Sequence, residues 1–304
     1  MALYGGIEIV GHPALENIRR LDMLPMRALA EMHSYGMAVD KEYFGQLSEQ
    51  LESEMKELRY EIINFIPEEK LDEFIGRDDP SGEILNVDSP DQVAEVLFSV
   101  LGVGEGHRLK MTKGGGRPST GKKQLEKFKT HPAVAKVLQY KERAKLLTTY
   151  TRKIPEIAKF HHEGACWCGW KHFGETWRVH CDILSKRTTT GRLETKNINL
   201  QNIAIRTELV AKVRMGFVAS PGMEIADVDF GQFEMRLGAH YSNDANLIRI
   251  FSDKLDPHTF TAMKVFNLTQ EVVEAREGRM LYRAPSKNLN FGIVYGITPR
   301  GLQA

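Results

Sequence analysis

A chain of 304 residues, 42% hydrophobic and 27% charged, has room for two or three subdomains and a sizeable core, and its composition is ordinary for a globular protein. No run is long and apolar enough to span a membrane, the start MALYGGIEIV lacks the basic-then-apolar order of a signal peptide, and Cys166, Cys168 and Cys181 are too few for a disulfide framework, so a reducing, cytoplasmic setting is expected. The formal net charge of +1 names no partner, but residues 46–95 are acidic whereas 107–153 are densely basic, with only Glu126 and Glu142 opposing; so local a change of sign suggests a surface for a polyanion.

In residues 14–35, Leu21, Leu24, Ala28 and Met32 recur at helical spacing, and Gly36 ends the helix. MAVD is a short extended piece. Asp40 can then cap a long amphipathic helix from 41 to about 65, with Phe44, Leu47, Leu51, Met55, Leu58 and Ile62 on one stripe. Residues 67–87 are polar and turn-rich. Ser89-Pro90-Asp91-Gln92 reads as a capping box with proline at the first helical position. It opens a helix through Val93, Val96, Leu97 and Val100 that Gly102 closes. The loop KMTKGGGRPST leads to helices over 122–129 and 132–150. In the second, Leu138, Leu146 and Leu147 face the core while Lys136, Lys141, Arg143 and Lys145 reach outward.

Gly116 to Lys122 has the spacing of a P-loop, but Lys123 stands where a hydroxyl would hold Mg²⁺, and no clear strand precedes it. A loop whose backbone amides, with Lys113 and Arg117, grip polynucleotide phosphates suits the residues better. His161, Cys166, Cys168 and His172 have the donor types of a zinc site. The single residue between the cysteines is unusual for one, and the alternative is a loop with incidental Cys and His. TWRVHCDIL then alternates like a strand. SKRTTTGRLETKNINLQNIAIRTE follows, with Arg187, Arg192 and Arg206 among hydroxyls and amides. These suit phosphates, sugars and minor-groove acceptors, or simply a long loop.

MEIADVDF reads as a strand with Met223, Ile225, Asp227 and Asp229 on one face and Glu224, Ala226, Val228 and Phe230 on the other. The two aspartates would stand roughly 7 Å apart. At the end of a buried strand they need hydration, a partner or a metal, and spacing does not choose between them. Gly231 breaks the strand and a helix begins at Gln232. Glu234 falls in its first turn, where it at least complements the helix dipole.

The last informative stretch is RMLYRAPSKNLNFGIVYG, Arg279 to Gly296. Arg283, Lys287, Phe291 and Tyr295 sit four residues apart, so on a helix the row drifts only about 40° per step. Pro285 suits a first turn, leaving Arg283 at the entrance, where backbone N–H groups attract anions. Gly292 and Gly296 end the aromatic half, and Pro299 stops any continuation. The stripe is either a nucleotide platform, with triphosphate on the cations and rings against base and sugar, or a surface helix with solvated cations and two aromatics turned to the core.

R-x-x-x-K-x-x-x-F-G-x-x-Y-G resembles the fingers-helix motif of family A DNA polymerases, the group of bacterial DNA polymerase I and many phage replicases. DFGQFEMRLGAHYSND is similar to that family's first carboxylate motif, close to D-Y-S-Q-I-E-L-R. TGRLETKNINLQNIAIRTE is similar to T-G-R-L…N-L-Q-N-I-P-x-R-T, DPHTFTA to D-I-H-x-x-T-A, and GGGRPST with KERAKLLTTY to the thumb segment. At least five motifs thus occur in the family order, from about residue 20 onward. No Asp-x-Glu strand motif of a proofreading exonuclease lies upstream.

The resemblance, of phage type, implies an α+β right-hand architecture. Its parts would be an N-terminal segment on the palm (1–40), a helical thumb (41–155), a palm with an antiparallel sheet and the first carboxylate motif (156–250), and helical fingers (251–304). It implies template-directed nucleotidyl transfer from a dNTP to a primer 3′-hydroxyl on primer–template DNA in replication, in the cytoplasm or a phage host's cytoplasm, with no membrane partner. Asp229 and the Phe230 carbonyl would hold two Mg²⁺ ions. Arg283, Lys287 and His258 would bind the triphosphate, with Lys287 placed to protonate or stabilise the leaving group. Glu234 would be the steric gate against a ribose 2′-hydroxyl. Gln232 would line the nucleotide site, Phe291 would lie under sugar and base, and Tyr295 would stack near the template. Phe at 291 implies poor acceptance of dideoxynucleotides. Arg192, Gln201, Arg206, Lys113, Arg117 and Lys145 would contact DNA.

Gly231 replaces the family's usual serine, Asp227 stands where it is normally apolar, and Pro285 lies inside the fingers motif. The later His-Asp-Glu motif and the second metal-binding aspartate are absent from these residues, so the expected reading is the front portion of the enzyme, inactive alone. It would need the remaining palm and fingers portion, in cis or as a separate chain. The rival readings are a non-catalytic DNA-binding front half and a single-subunit RNA polymerase, which Glu234 argues against.

Overall fold

Helix α1 (Leu24–Tyr35), strand β1 (Met37–Val39) and helix α2 (Lys41–Ile63) open the described chain. The computed structural model describes residues 20, 24–74, 85–114, 116–165, 171–172, 174–185, 188, 191–203, 207–298 and 301. Asp40 caps α2, its carboxylate accepting from the Tyr43 N–H at 2.8 Å. The stripe holds: Phe44, Leu47, Leu51, Leu58 and Ile62 are buried, each worth about 1.5–3 kcal/mol relative to exposure. Of the first predicted helix, Leu21 lies outside the described residues. No helix among those described is long and apolar enough to cross a membrane.

After α3 (Glu68–Leu71), α4 (Pro90–Ala94) continues as a wider π-helical turn, Glu95–Val100. Only half of the predicted capping box forms. Ser89 accepts from the Gln92 N–H at 3.5 Å, but the Gln92 side chain accepts from the Asn86 N–H at 2.8 Å and so closes the incoming loop. Then come α5 (Lys122–Leu125), α6 (Pro132–Leu146) with a π-helical turn over Leu147–Thr151, and α7 (Lys153–Ile157). Helices α2 and α6 share two apolar clusters. Leu58 and Ile62 join Val134, Val137 and Tyr140 in one. Phe44, Leu47 and Leu51 join Leu146, Leu147 and Ile154 in the other. The early end of α2 thus meets the late end of α6, and the pair runs antiparallel.

Part of the charge asymmetry is internal: three of the fourteen basic residues in 107–153 pair with carboxylates of α2. Arg143 bonds Glu54 at 2.6 Å, Arg152 meets Glu52 at 2.8 Å, and Lys136 pairs with Glu61. Acidic and basic stretches that look like separate surfaces in the sequence meet along a shared helix–helix seam. Lys141, expected to reach outward, instead donates to the Thr120 carbonyl at 2.9 Å. Burial, and then the charge of Arg117, push its ammonium below the ordinary lysine value.

Strands β2 (Lys159–His161) and β5 (Thr176–Val179) complete an antiparallel sheet of order β1-β5-β2, with Met37 opposite Val179 and His161 opposite Thr176. Two smaller antiparallel pairs are β3 (Gly164–Ala165) with β4 (Lys171–His172) and β6 (Asp182–Leu184) with β7 (Glu194–Lys196). TWRVHCDIL is therefore two strands in different sheets. It breaks at His180 and Cys181, where His180 Nδ1 donates to the His33 carbonyl at 2.8 Å and His33 Nδ1 donates to the Cys181 carbonyl at 2.8 Å. A short 3₁₀ turn, Leu200–Asn202, and α8 (Glu208–Met215) follow. Gly216 is needed after α8, because a Cβ there would stand 2.5 Å from the Phe44 ring.

The predicted carboxylate strand does not form a ladder. The chain passes beside β1 only at Phe217 and Val218 and turns at Pro221 and Gly222. Residues 223–230 then pair with no strand among the described residues. All of them are exposed, Val228 at 91% and Phe230 at 79%. Alternation marks a segment as competent for a sheet, but a strand exists only where a neighbour takes its N–H and C=O groups.

Backbone packing divides the chain into two units, Met1–Ile225 and Ala226–Ala304. The second is helical: α9 (Phe233–Ser242), α10 (Ala245–Ser252), α11 (Pro257–Phe266), α12 (Gln270–Glu274), α13 (Arg276–Gly278) and α14 (Ala284–Val294). A π-helical turn, Arg279–Arg283, leads into α14. Gly278 is obligatory, since a Cβ there would overlap the Val272 carbonyl oxygen. The architecture as a whole is α+β, as the sequence leads one to expect.

Candidate functional site

The second unit gathers most of the residues singled out in the sequence. Asp256 precedes Pro257 and caps α11. Its carboxylate accepts from the His258 N–H at 3.1 Å and from the Thr259 hydroxyl at 3.0 Å. It also takes the Arg283 guanidinium at 2.6 Å. Burial opposes ionisation here, but the hydrogen bonds from Arg283, His258 and Thr259 prevail and hold Asp256 below the usual carboxylate range. Asp256, Thr259, Glu274, Arg279 and Arg283 line a cavity of about 280 Å³. Arg283 therefore stands at the entrance to α14 as expected, but already held by a carboxylate.

His258 is 0% exposed. Its ring centroid lies 5.5 Å from that of Phe291, and the Lys287 ammonium stands 5.9 Å over the same Phe291 ring. Burial pushes the His258 imidazole below the ordinary histidine value. Asp256 works against that shift, and the cations Arg283 and Lys287 add to it. The row Arg283, Lys287, Phe291 thus faces His258 from α14. Tyr295 ends the helix, and its hydroxyl donates to Glu234 at 2.7 Å, on the first turn of α9. Gln232 caps α9 in a left-handed conformation, φ 57°, and the preceding Gly231 carbonyl accepts from Arg236 at 2.9 Å. Asp229 and Phe230 lie in the exposed segment just before this cap.

The sequence pattern of DNA polymerase family A matches residues 41–304. The chain belongs to DNA polymerase family A. It is 33% identical over 277 residues to the thermostable DNA polymerase I of Thermus thermophilus, covering 91% of this chain and 29% of that protein. It is 34% identical over 297 residues to DNA polymerase I of Bacillus subtilis, covering 97% of this chain and again 29% of the relative. The chain therefore spans less than a third of these relatives. Among solved structures it is similar to the POL domain of Pol1 from M. smegmatis in complex with DNA primer-template and dNTP. That match has a TM-score of 0.65 and 27% identity, and covers 94% of this chain and 46% of that one.

The residues expected from the sequence to contact DNA lie in the first unit. Arg192 and Gln201 line one open groove of about 740 Å³ with Thr188, Glu194 and Asn202. Lys113 and Lys145 are exposed. Arg117, expected to grip phosphate, instead pairs with Asp91 and donates to the Pro90 carbonyl at 3.0 Å, so it fastens the Gly-rich loop to the head of α4. That loop folds back on itself, the Thr112 N–H bonding the Arg117 carbonyl and the Ser119 N–H the Lys110 carbonyl. Arg206 lies outside the described residues.

The zinc expectation finds no support. The His161 ring is buried and stacks on His180, with Nε2 atoms 3.0 Å apart. Cys166, Cys168 and the side chain of His172 lie outside the described residues. Among those described, no group of three or more His, Cys, Asp or Glu side chains converges to hold a metal. The Asp229 carboxylate and the Phe230 carbonyl are hard oxygen donors that suit Mg²⁺, an ion that keeps several waters and shares phosphate oxygens.

Sequence reasoning gives one residue here no pairing role and leaves another unmarked. Asp256 opens DPHTFTA and is legible as an Asp-Pro helix start, but neither pattern points to a partner for Arg283. Asn290 falls on an unspecified position between Lys287 and Phe291, and nothing in periodicity marks it.

Proposed function

We propose that this chain carries the thumb, the leading segment of the palm and the leading fingers helices of a template-directed DNA polymerase. In this reading 41–155 form the thumb, 156–250 the palm segment with residues 1–40 against it, and 251–304 the fingers. His258, Arg283 and Lys287 receive the triphosphate of a dNTP, and Phe291 and Gln232 flank its sugar and base. Glu234, held by Tyr295, fills the space of a 2′-hydroxyl, and Tyr295 also lies near the templating base. Arg192, Gln201, Arg206, Lys113 and Lys145 grip primer–template. Arg117 acts by anchoring its loop. The observation that carries the reading is the convergence of His258, Lys287 and Phe291 beside the Asp256–Arg283 pair, within one helical unit of a family A chain.

Asp229 and the Phe230 carbonyl would hold Mg²⁺. When bound, the ions would supply Lewis-acid activation of a primer hydroxyl and would neutralise charge on triphosphate and pyrophosphate. Arg283 exchanges Asp256 for phosphate, Lys287 stabilises or protonates the departing pyrophosphate, and the buried His258 orients the chain of phosphates. One bridging carboxylate and one carbonyl do not complete the coordination of two ions, so the reading assigns the other protein ligands to a further polymerase portion, in cis or on a second chain.

A labelled primer–template, Mg²⁺ and one complementary dNTP test this. Duplex binding should weaken steeply with salt. Extension, once the remaining polymerase portion is supplied, should vanish in Asp229→Ala. A chain that binds no primer–template at low salt would overturn the reading.

A further inference from the structure

Asn290 is 8% exposed, and its amide is enclosed on both sides. The Thr261 hydroxyl meets its Oδ1 at 3.0 Å and also reaches the Pro257 carbonyl at 2.8 Å. Its Nδ2 faces that same carbonyl at 3.3 Å and His258 Nδ1 at 3.0 Å. A carbonyl oxygen only accepts, so the NH₂ side of the amide faces Pro257 and Oδ1 faces Thr261, whose one hydroxyl proton is shared between Oδ1 and the Pro257 carbonyl. The same NH₂ group then confronts His258 Nδ1. Two donors cannot share a hydrogen bond, so Nδ1 presents its lone pair and the imidazole proton sits on Nε2. That Nε2 is buried and has no hydrogen-bond partner among the described residues.

We propose that Asn290 is a positioning residue that fixes His258 as the neutral Nε2–H tautomer, so that this imidazole meets a nucleotide phosphate as a directed hydrogen-bond donor and not as a third cation. The inference rests on the nucleotide site proposed above. A phosphate oxygen is acceptor-only and supplies what Nε2–H lacks. Arg283 and Lys287 already bring the positive charge, and among the described residues Asp256 is the one carboxylate acting on the ring. An imidazolium would set Nδ1–H against the Asn290 NH₂. The contact to phosphate therefore keeps the same protonation across the range in which free histidine titrates.

Histidine-selective ¹⁵N labelling of the whole chain reads the tautomer directly, with the His258 signals identified by their loss in His258→Gln. The expected result is a neutral ring protonated at Nε2 that charges at lower pH than free histidine. Asn290→Asp should accept from Nδ1–H and raise the His258 protonation constant at least tenfold, about one pH unit. Its affinity for a dNTP should then become pH-dependent, tightening as the ring gains charge. A wild-type ring protonated at Nδ1, or an Asn290→Asp titration unchanged from wild type, would overturn the proposal while leaving the site intact. Unchanged dNTP binding in both His258→Gln and Lys287→Ala would instead sink the nucleotide site itself, and this proposal with it.

Discussion

The α2–α6 pair and the α11–α14 pair hold helices together by different means. Between α2 and α6 the contact is apolar: Phe44, Leu51, Ile62, Val137 and Tyr140 are almost wholly buried, and ion pairs only edge the seam. Between α11 and α14 the buried residues include His258, Thr259, Ser286 and Asn290, and the links are hydrogen bonds through Asn290, Thr261 and Asp256. An apolar seam tolerates small displacements because dispersion has no direction. A hydrogen-bonded seam fixes the angle and rotation of each side chain. That is what a site needs if several groups must meet one ligand at set positions.

The contrast can be broken by substitution. Phe44→Ala should lose about 3–5 kcal/mol of unfolding free energy by leaving a cavity in the first unit, read from denaturant melts. Asn290→Ala removes little apolar surface, but it strands the buried His258 Nδ1, while the Thr261 hydroxyl keeps the Pro257 carbonyl. It should lose about 1–3 kcal/mol, with its loss of protection in hydrogen exchange confined to α11 and α14. Equal losses spread over both units would erase the distinction. Asp256→Ala removes a helix cap and the Arg283 partner together. The cap alone is worth about 1 kcal/mol, so a stability change near zero would mean that Arg283 and the α11 N-terminus find other partners.

Acid should sharpen the contrast further. Each unit holds an imidazole kept below the ordinary value by burial, His180 in the first and His258 in the second. The unfolded chain takes up those protons first. Stability is therefore fully present above about pH 6.5 and declines as pH falls through the folded-state values. Asp256, also depressed, adds a second loss below about pH 4. His258→Gln should flatten the upper limb for the second unit and leave the first unchanged. The smallest effect belongs to the edge of the apolar seam, where Arg143→Ala should lose no more than about 1 kcal/mol.

These two kinds of contact are unequally legible in the sequence. The α2 stripe can be read residue by residue, because burial of apolar side chains imposes a period that a helix must show. The row Arg283, Lys287, Phe291, Tyr295 is legible by its spacing of four, although none of its members is buried, and family motifs give it a meaning that spacing alone does not. The Asp256–Arg283 pair and the Asn290 amide are not legible. A hydrogen bond joins residues 27 to 32 positions apart and leaves no period behind. The charge blocks mislead in the opposite sense, since net charge by segment cannot show that Glu54 and Arg143 face each other. The 223–230 segment is legible as alternation but not as a strand, because its ladder depends on a neighbour and not on its own residues.

That segment has one more consequence. An unpaired stretch with exposed apolar side chains is a template for edge-to-edge stacking of copies. Here Glu224, Asp227 and Asp229 interrupt Met223, Ile225, Val228 and Phe230, and their mutual repulsion works as a gatekeeper against aggregation. Removing a charge for a catalytic control therefore also weakens that protection. Loss of activity in Asp229→Ala has to be read beside a sedimentation profile, with Asp229→Glu as the variant that keeps the solubility charge in place.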